Sequence, residues 1–219
     1  MGEITIQIHR GANQIGGNII EISTPSTKIL LDAGAELDSG DDNTLPAIHG
    51  LFSNANYNAV FFSHYHQDHM GLADKIDAQI PLYMGEGAYR VLQAAARYRG
   101  KPLGFTCRTF THGENIHIGD LCITPFLVDH SAYDAYMCLI THEGETVLYT
   151  GDFRANGRKS FFRFKCQLPT KIDTLICEGT TLSRSKEKIL TEKDIEKQAT
   201  QLMRKKNRAY FYPASRHQY

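Results

Sequence analysis

Four side chains that commonly bind metal ions follow directly after an apolar run in the first half of the chain. The run YNAVFFSH (57–64) is rich in aromatic and apolar residues, which is typical of a strand covered on both faces. The segment HYHQDH then places His64, His66, Asp68 and His69 within six positions. The end of a buried strand is therefore predicted to present several metal ligands together.

The spacing of these residues indicates two metal ions. Histidines two positions apart on an extended segment point the same way, so His64 and His66 are predicted to share one ion. Asp68 and His69 follow on a tightening loop and suit a second ion close by. Nitrogen and oxygen ligands of this kind favour zinc, with manganese and iron as alternatives. One histidine after a strand is usually an ordinary loop residue, but three histidines and an aspartate in six positions outweigh that interpretation.

The remaining patterns predict β-sheets with helices outside them. Strands are predicted at 3–9, 17–23, 27–34, 57–64, 81–85, 171–179 and 209–213, with pairs of strands at 115–130 and 136–153. An alanine-rich segment predicts a helix over 86–99, and another is predicted over 191–207, where Thr191 and Asp194 form a capping box. No linker, repeat or low-complexity segment divides the chain, so residues 1–219 are predicted to form a single domain.

Composition excludes several classes of protein. With 42% hydrophobic and 22% charged residues, the chain is close to the average for globular proteins. It has no run of about 18 apolar residues that would span a membrane, and its start, MGEITIQIHRG, lacks the layout of a signal peptide. The five cysteines show no CxxC spacing, which favours reduced core thiols over a disulfide framework. We therefore expect a cytoplasmic protein.

The zero net charge conceals an asymmetry between two parts of the chain. Residues 1–153 contain 8 Lys and Arg against 18 Asp and Glu, whereas residues 154–219 contain 16 against 6. An acidic metal-binding part followed by a part that faces a polyanion would produce this pattern. A helix with a solvated face of lysines would produce it as well, and charge alone favours this second explanation.

The HYHQDH segment resembles the central motif of the metallo-β-lactamase-fold hydrolases, and the other motifs of that family appear in the expected order. The segment LLDAG supplies Asp32, VDHSAYDAY (128–136) supplies His130, and YTGDF (149–153) supplies Asp152. The resemblance implies an α/β fold of the αββα sandwich type, in which two mixed β-sheets pack face to face with helices outside.

The same resemblance implies a dinuclear centre that activates water for hydrolysis. The implied metal ligands are His64, His66, Asp68, His69, His130 and Asp152. His130 would complete the first site, the carboxylate of Asp152 would hold both ions, and Asp68 would also orient the water. Asp32 would hydrogen-bond the metal-binding loop instead of the metal, since metal-bound histidines need such orienting partners.

Three local features resemble the ribonuclease J-like, β-CASP branch of the family, whose members cut RNA or, less often, DNA. They are the residues after His130, the TGDFR segment around Asp152, and DTLICEGTTL (173–182), where Glu178 matches an acidic motif residue of the branch. The resemblance therefore implies Asp68, Asp152 and Glu178 as catalytic residues and RNA as the partner. An alternative role for Glu178, a strand-end carboxylate that hydrogen-bonds a nearby loop, is compatible with the first.

Two other functions stay open at this stage. One is hydrolysis of a small ester, thioester or phosphodiester at the same metal centre. A narrow apolar cleft would favour it, whereas an open groove lined by Lys and Arg would favour RNA. The other is a metal-binding core that holds nucleic acid with little turnover.

The chain departs from the β-CASP pattern near its end. Proteins of that branch continue with a second domain that carries further histidines, whereas here His217 is the only histidine after His142. The second ion therefore lacks one expected ligand, which water, the substrate, a partner chain or His217 would supply if the chain is not a fragment. We expect the chain to be part of a longer protein, without the β-CASP insertion and the final elements of the fold. The oligomeric state is open, a homodimer included.

Overall fold

In the computed structural model of the protein, the described residues are 3–37, 45–155, 157, 168–182 and 190–206, with the side chains of residues 205 and 206 left out. The predicted strand at 209–213, His217 and Cys166 lie outside the described residues.

One β-sheet contains six strands of the described chain, in the order β1 to β6. They are β1 (Thr5–Arg10), β2 (Ile19–Ser23), β3 (Lys28–Leu31), β4 (Ala59–Phe61), β5 (Leu82–Gly85) and β6 (Cys107–Phe110). The pairs from β1 to β3 are antiparallel and those from β3 to β6 are parallel, so the sheet is mixed. The pattern did not predict β6, because its two central residues, Arg108 and Thr109, are both exposed and break the apolar alternation.

The other sheet contains five strands of the described chain, in the order β11, β10, β9, β8 and β7. They are β7 (Ile116–Ile118), β8 (Leu121–Val128), β9 (Ala135–His142), β10 (Glu145–Tyr149) and β11 (Thr174–Ile176). The pair of β10 and β11 is parallel and the other three pairs are antiparallel. The predicted hairpin between β9 and β10 is confirmed. Glu143 and Gly144 form its turn with φ values of 47° and 91°, as a two-residue hairpin turn requires.

The two sheets pack face to face through a layer of apolar side chains. The ring of Phe110 on β6 lies 6.2 Å from that of Phe61 on β4 and 5.1 Å from that of Tyr136 on β9, measured between centroids. Side chains alternate along each strand, so Leu31 belongs to this layer whereas Leu30 packs in the outer cluster beneath the helices. The predicted αββα sandwich is therefore confirmed.

The helices of the described chain are α1 (Gln67–Met70), α2 (Glu86–Tyr98) and α3 (Glu192–Lys206), with a 3₁₀ helix at Ala73–Lys75. The prediction placed α2 correctly to within one residue. The capping box of α3 is confirmed, because the Thr191 amide donates to Asp194 Oδ2 at 3.0 Å and the Asp194 amide donates to Thr191 Oγ1 at 3.1 Å.

Within the described residues, no helix is both long and apolar enough to cross a lipid bilayer. The described cysteines, Cys107, Cys122, Cys138 and Cys177, are free. Cys138 is buried between the sheets, whereas Cys177 is exposed, so the prediction of core thiols is right for the first and wrong for the second.

Candidate metal centre

The predicted ligands meet at one edge of the sandwich, where strands of both sheets end. Because β3 and β4 are parallel, Asp32 and the HYHQDH segment, which follow them, emerge at the same edge. In the second sheet β8 and β10 run in the same direction, both antiparallel to β9, and they lead to His130 and Asp152.

The HYHQDH segment is held against the residues that follow β3. The amide of Ala33 donates to the carbonyl oxygen of His69 at 2.8 Å, and the Asn18 amide donates to that of Asp68 at 3.0 Å. A β-carbon on Gly34 would overlap this Asp68 carbonyl. Glycine at the end of the LLDAG segment is therefore required by the close approach of the ligand loop.

Three imidazole rings form the first group of candidate ligands. His66 Nδ1 lies 3.1 Å from His64 Nε2 and 3.2 Å from His130 Nε2. His64 is buried, whereas His66 and His130 are partly exposed. Ring nitrogens that face one another this closely need a proton or a metal cation among them, so the geometry suits a shared ion.

His64, His69 and Asp152 form the second group, whose ligand atoms all lie within 4.8 Å of one another. His69 Nε2 lies 3.3 Å from Asp152 Oδ1 and 3.7 Å from Asp68 Oδ2, so Asp68 stands at the margin of this group. The other oxygen of Asp152, Oδ2, lies 3.8 Å from His130 Nε2. The Asp152 carboxylate thus directs one oxygen to each group.

Asp32 lies behind the histidines and is fully buried, with a φ of 59°. Its Oδ2 accepts hydrogen bonds from the hydroxyls of Tyr149 at 2.5 Å and Ser63 at 2.8 Å, and its Oδ1 accepts from the Ser63 amide at 2.7 Å. His69 Nδ1 lies 2.7 Å from Oδ2. Because a carboxylate only accepts, His69 carries its hydrogen on Nδ1 and turns Nε2 toward Asp152.

Ser63 orients His64 in the same way. The Ser63 hydroxyl gives its single hydrogen to Asp32, and His64 Nδ1 lies 3.0 Å from the same oxygen. His64 Nδ1 must therefore donate to Ser63 Oγ, which leaves the electron pair of Nε2 directed at the other histidines. One buried carboxylate thus orients both His64 and His69.

Burial keeps two of the histidines neutral. It lowers the pKa of His64 well below its ordinary value, and the nearby His69, His130 and His66 lower it further. Burial also lowers the pKa of His130 to about 4, although the carboxylate of Asp152 opposes this shift. Neutral imidazole is the form that binds metal ions, so both rings are in the state that ligation requires.

His69 shows the opposite behaviour. Burial alone would lower the pKa of His69, but the carboxylates of Asp32 and Asp152 outweigh it and raise the pKa to about 10. Burial likewise opposes the shift at Asp152, whose pKa is lowered by the hydrogen bond and charge of His69. The pair of carboxylates therefore stabilises positive charge at His69 Nε2. A bound divalent cation would supply that charge in place of the proton.

Glu178 lies just beyond β11 and contacts the loop that carries Asp152. Its Oε1 accepts a hydrogen bond from the Phe153 amide at 2.8 Å, and its own amide donates to Thr150 Oγ1 at 3.2 Å. These contacts correspond to the structural alternative for Glu178, a strand-end carboxylate that holds a ligand loop. They also leave the residue at the wall of a cleft beside the metal ligands.

This cleft has a volume of about 610 Å³ and is lined by Asp68, His69 and Asp152 together with the segment between β1 and β2 and the residues that follow β11. Two apolar side chains on these walls are exposed, Ile15 by 63% and Leu182 by 88%.

Arg10 is the one Lys or Arg among the described residues that line the cleft. Its guanidinium donates to the carbonyl oxygens of Gly17 and Gly34 and to Glu36. The basic side chain is thus committed to holding the wall. The described part of the cleft is not a groove lined by Lys and Arg.

Residues 27–209 match the family model of the beta-lactamase superfamily domain. The chain belongs to the beta-lactamase superfamily. Members with the metallo-β-lactamase fold use divalent metal ions, and the donor set described above fits such ions. It combines ring nitrogens with unshared electron pairs and a carboxylate that faces both groups.

Two kinds of curated relative are similar to this chain. A ribonuclease J from Helicobacter pylori is 26% identical over 152 residues, which is 66% of this chain and 22% of that protein. The transcription termination factor FttA from Methanocaldococcus jannaschii is 26% identical over 200 residues, or 81% of this chain and 31% of that protein. The chain therefore spans between about a fifth and a third of the length of these superfamily relatives.

Two solved structures are similar in fold to this chain. A protein of unknown function from Enterococcus faecalis V583 superimposes with a TM-score of 0.78 at 25% identity, covering 94% of this chain and 58% of that one. The metallo-β-lactamase fold protein YhfI from Bacillus subtilis has a TM-score of 0.54 at 19% identity, covering 78% and 70%.

Sequence reasoning named Asp32 as an orienting residue but missed its partners Ser63 and Tyr149. Ser63 directly precedes the first histidine, and that position was the available signal. Tyr149 reaches Asp32 from the other sheet, and no local pattern indicates this contact. Arg154 Nε also donates to Asp129 Oδ1 at 3.0 Å, which ties the loops that carry the two later ligands.

Proposed function

We propose that the protein is a hydrolase with a dinuclear metal centre that cleaves RNA phosphodiesters. The observation that carries the two-ion part is the position of Asp152, whose two oxygens face different ligand groups at 3.3 and 3.8 Å. In this proposal the first ion is held by His64, His66 and His130, and the second by Asp68 and His69, with Asp152 between them. Zinc suits this donor set best, with manganese and iron as alternatives.

The residues of the chain have separate tasks in the proposed reaction. Two bound divalent ions supply a water of lowered pKa and an electrostatic clamp for a phosphodiester. Asp68, which is partly exposed to the cleft, accepts a hydrogen bond from the attacking water and orients it. Glu178 keeps the Asp152 loop in place through the Phe153 amide, and Asp32 keeps the histidines aligned. Glu178 also lines the cleft, so its catalytic role and its role in holding the loop are compatible in this proposal.

RNA as the substrate is supported by the relatives. Similarity to ribonucleases J extends over 66% of the chain and similarity to FttA over as much as 81%. Nine of the sixteen basic residues after residue 153 lie outside the described residues.

A small ester, thioester or phosphodiester is the second candidate substrate. The exposed Ile15 and Leu182 and the single, internally bonded Arg10 on the cleft walls favour it. A compact substrate with apolar groups would fill such a cleft without needing cationic contacts along an extended backbone.

Metal content per chain, measured on protein purified without chelator, tests the proposed centre. We expect two equivalents in the natural protein, loss of metal in His66→Ala, and no change in His117→Ala, which alters an exposed histidine outside the cluster. A natural protein that binds no metal would refute the proposal.

Hydrolysis assays then distinguish the substrates. Cleavage of a single-stranded RNA that is lost in His66→Ala and retained in His117→Ala supports the ribonuclease. Hydrolysis of bis(p-nitrophenyl) phosphate without any cleavage of RNA would favour the small-diester alternative and refute RNA as the substrate.

A further inference from the structure

The positive charges of the first part of the chain are concentrated in one short segment. Residues 1–153 carry a net excess of ten negative charges and only eight Lys and Arg. Five of those eight, Arg90, Arg97, Arg99, Lys101 and Arg108, lie within 90–108. The segment comprises most of α2, the loop after it and the start of β6.

Four residues at the end of this helix form an exposed cluster, here called the α2 patch: Arg97, Tyr98, Arg99 and Lys101. All four are exposed, and Tyr98 is 94% exposed. Arg97 and Lys101 line one cavity of about 450 Å³ together with Tyr89 and Phe105. Exposed aromatic rings combined with cations are a feature of surfaces that bind single-stranded nucleic acid.

The other basic residues of the segment are engaged within the protein. Arg90 pairs with Glu86 at 2.6 Å, and Arg108 donates to the Tyr83 hydroxyl at 2.9 Å. Arg99 Nε donates to the Ala95 carbonyl at 3.2 Å, as cations at the end of a helix commonly do. For the side chains of Arg97 and Lys101, the described part of the structure shows neither an ion pair nor a hydrogen bond. Stabilisation of the helix end therefore accounts for Arg99 and leaves two cations available.

The α2 patch adjoins the helix that carries the metal ligands. A second cavity, of about 390 Å³, has Arg99 and Lys101 on one side and Gln67 and Gly71 on the other. Gln67 stands between two of the predicted ligands in the HYHQDH segment. Asp74 also lines this cavity, but its charge is partly met by Lys75 at 3.4 Å. The α2 patch therefore borders the short helix that carries Asp68 and His69.

We propose that the α2 patch binds the phosphate backbone of the single-stranded RNA that the metal centre cleaves. This inference rests on the proposed ribonuclease function. The surrounding part of the chain is acidic and repels a polyanion, so a cationic patch beside the ligand helix is where the backbone gains contacts. Lysine and arginine neutralise phosphates, and an exposed tyrosine offers a face for stacking one base.

Fluorescence anisotropy with a phosphorothioate oligoribonucleotide, which resists hydrolysis, tests the patch. The variants are Arg97→Gln/Lys101→Gln and Tyr98→Ala, with Lys193→Gln/Lys197→Gln as the control of equal charge at exposed positions on α3. For a single strand, each phosphate contact contributes about 0.7 to the slope of log K against log[salt]. Loss of two contacts in Arg97→Gln/Lys101→Gln should therefore flatten this slope by about 1.4. The same variant should bind the oligonucleotide about tenfold more weakly or worse at about 50 mM salt. Tyr98→Ala should weaken binding with the slope unchanged.

The outcomes separate this inference from the proposed function. Hydrolysis of bis(p-nitrophenyl) phosphate should be equal in the natural protein and all three variants, since none of them alters the metal centre. Equal RNA affinity and slope in the natural protein and Arg97→Gln/Lys101→Gln would overturn the patch while leaving a ribonuclease intact. A patch that binds poly-glutamate and not the oligonucleotide, or an equal loss in the control variant, would overturn it too. Failure of the proposed function would appear separately, as the absence of metal-dependent RNA cleavage by the natural protein.

Discussion

Replacing Asp32 with asparagine is the most direct test of how the site is organised. The buried carboxylate accepts hydrogen bonds from the Ser63 amide and hydroxyl and the Tyr149 hydroxyl, and it faces the protonated Nδ1 of His69. Asparagine has the same shape but carries an amide that donates, so at least one of these donors loses its acceptor. It also removes the negative charge that balances the cation at His69, which is a proton in the metal-free protein and the metal ion once that is bound.

The expected loss of stability follows from the interactions that the substitution breaks. Breaking a buried charge pair from one side costs about 3–5 kcal/mol. For a domain of this size, each kcal/mol shifts the melting temperature by about 2–4 °C, so Asp32→Asn should melt about 6–20 °C below the natural protein. Residues that orient metal-bound histidines typically contribute about 10–100-fold in metal affinity, and a loss in that range is expected as well.

Differential scanning calorimetry and a competitive metal titration measure the two effects. Tyr149→Phe is the matched control, because it removes one hydroxyl donor and leaves both the carboxylate and His69 in place. It should lose about 1.5–3 kcal/mol, the usual range for a hydrogen bond to a charged group, with a smaller change in metal affinity than Asp32→Asn. An Asp32→Asn protein that melts and binds metal like the natural one would refute the role of Asp32.

Two further predictions concern other parts of the fold. Tyr65→Phe removes the hydroxyl that accepts a hydrogen bond from the Tyr133 amide at 2.9 Å, in the loop after His130. Metal content should therefore fall at the first ligand group, and the free energy of unfolding should drop by about 1–3 kcal/mol. An unchanged melting temperature and metal content would contradict this. Glu21 accepts hydrogen bonds from the Tyr57 hydroxyl and contacts His9 and Lys28; burial opposes the shift, but these groups lower its pKa below the ordinary 4.5. The stabilisation by Glu21 is therefore present above about pH 4.5 and is lost as the pH falls through the lowered pKa. In urea titrations, the difference in unfolding free energy between the natural protein and Glu21→Gln should shrink over that pH range. A difference that stays constant between pH 7 and pH 3 would exclude Glu21 as its source.

Short-range features of the fold could be predicted from the sequence. The capping box of α3, the helix α2 and the turn at Glu143 and Gly144 all depend on residues within four positions of one another. The close approach of His64 and His66 has the same origin, because two positions along an extended chain determine their separation.

Contacts between distant segments could not be predicted in this way. No side chain of α2 itself caps its N-terminus. The amide of Ala88 donates instead to the carboxylate of Asp134, 46 positions later, at 3.0 Å. Strand β6 was missed because pairing with β5 holds it in place although its central residues are exposed.

By itself, the sequence determined that a strand end carries clustered candidate metal ligands, since those residues are neighbours in the chain. Only the tertiary structure decided that Tyr149, from the other sheet, meets Asp32 and that Asp152 directs one oxygen to each ligand group. The physical reason is that an apolar pattern specifies which face of a strand is buried. It does not specify which strand of the opposite sheet lies against that face, because this depends on packing across the whole sandwich.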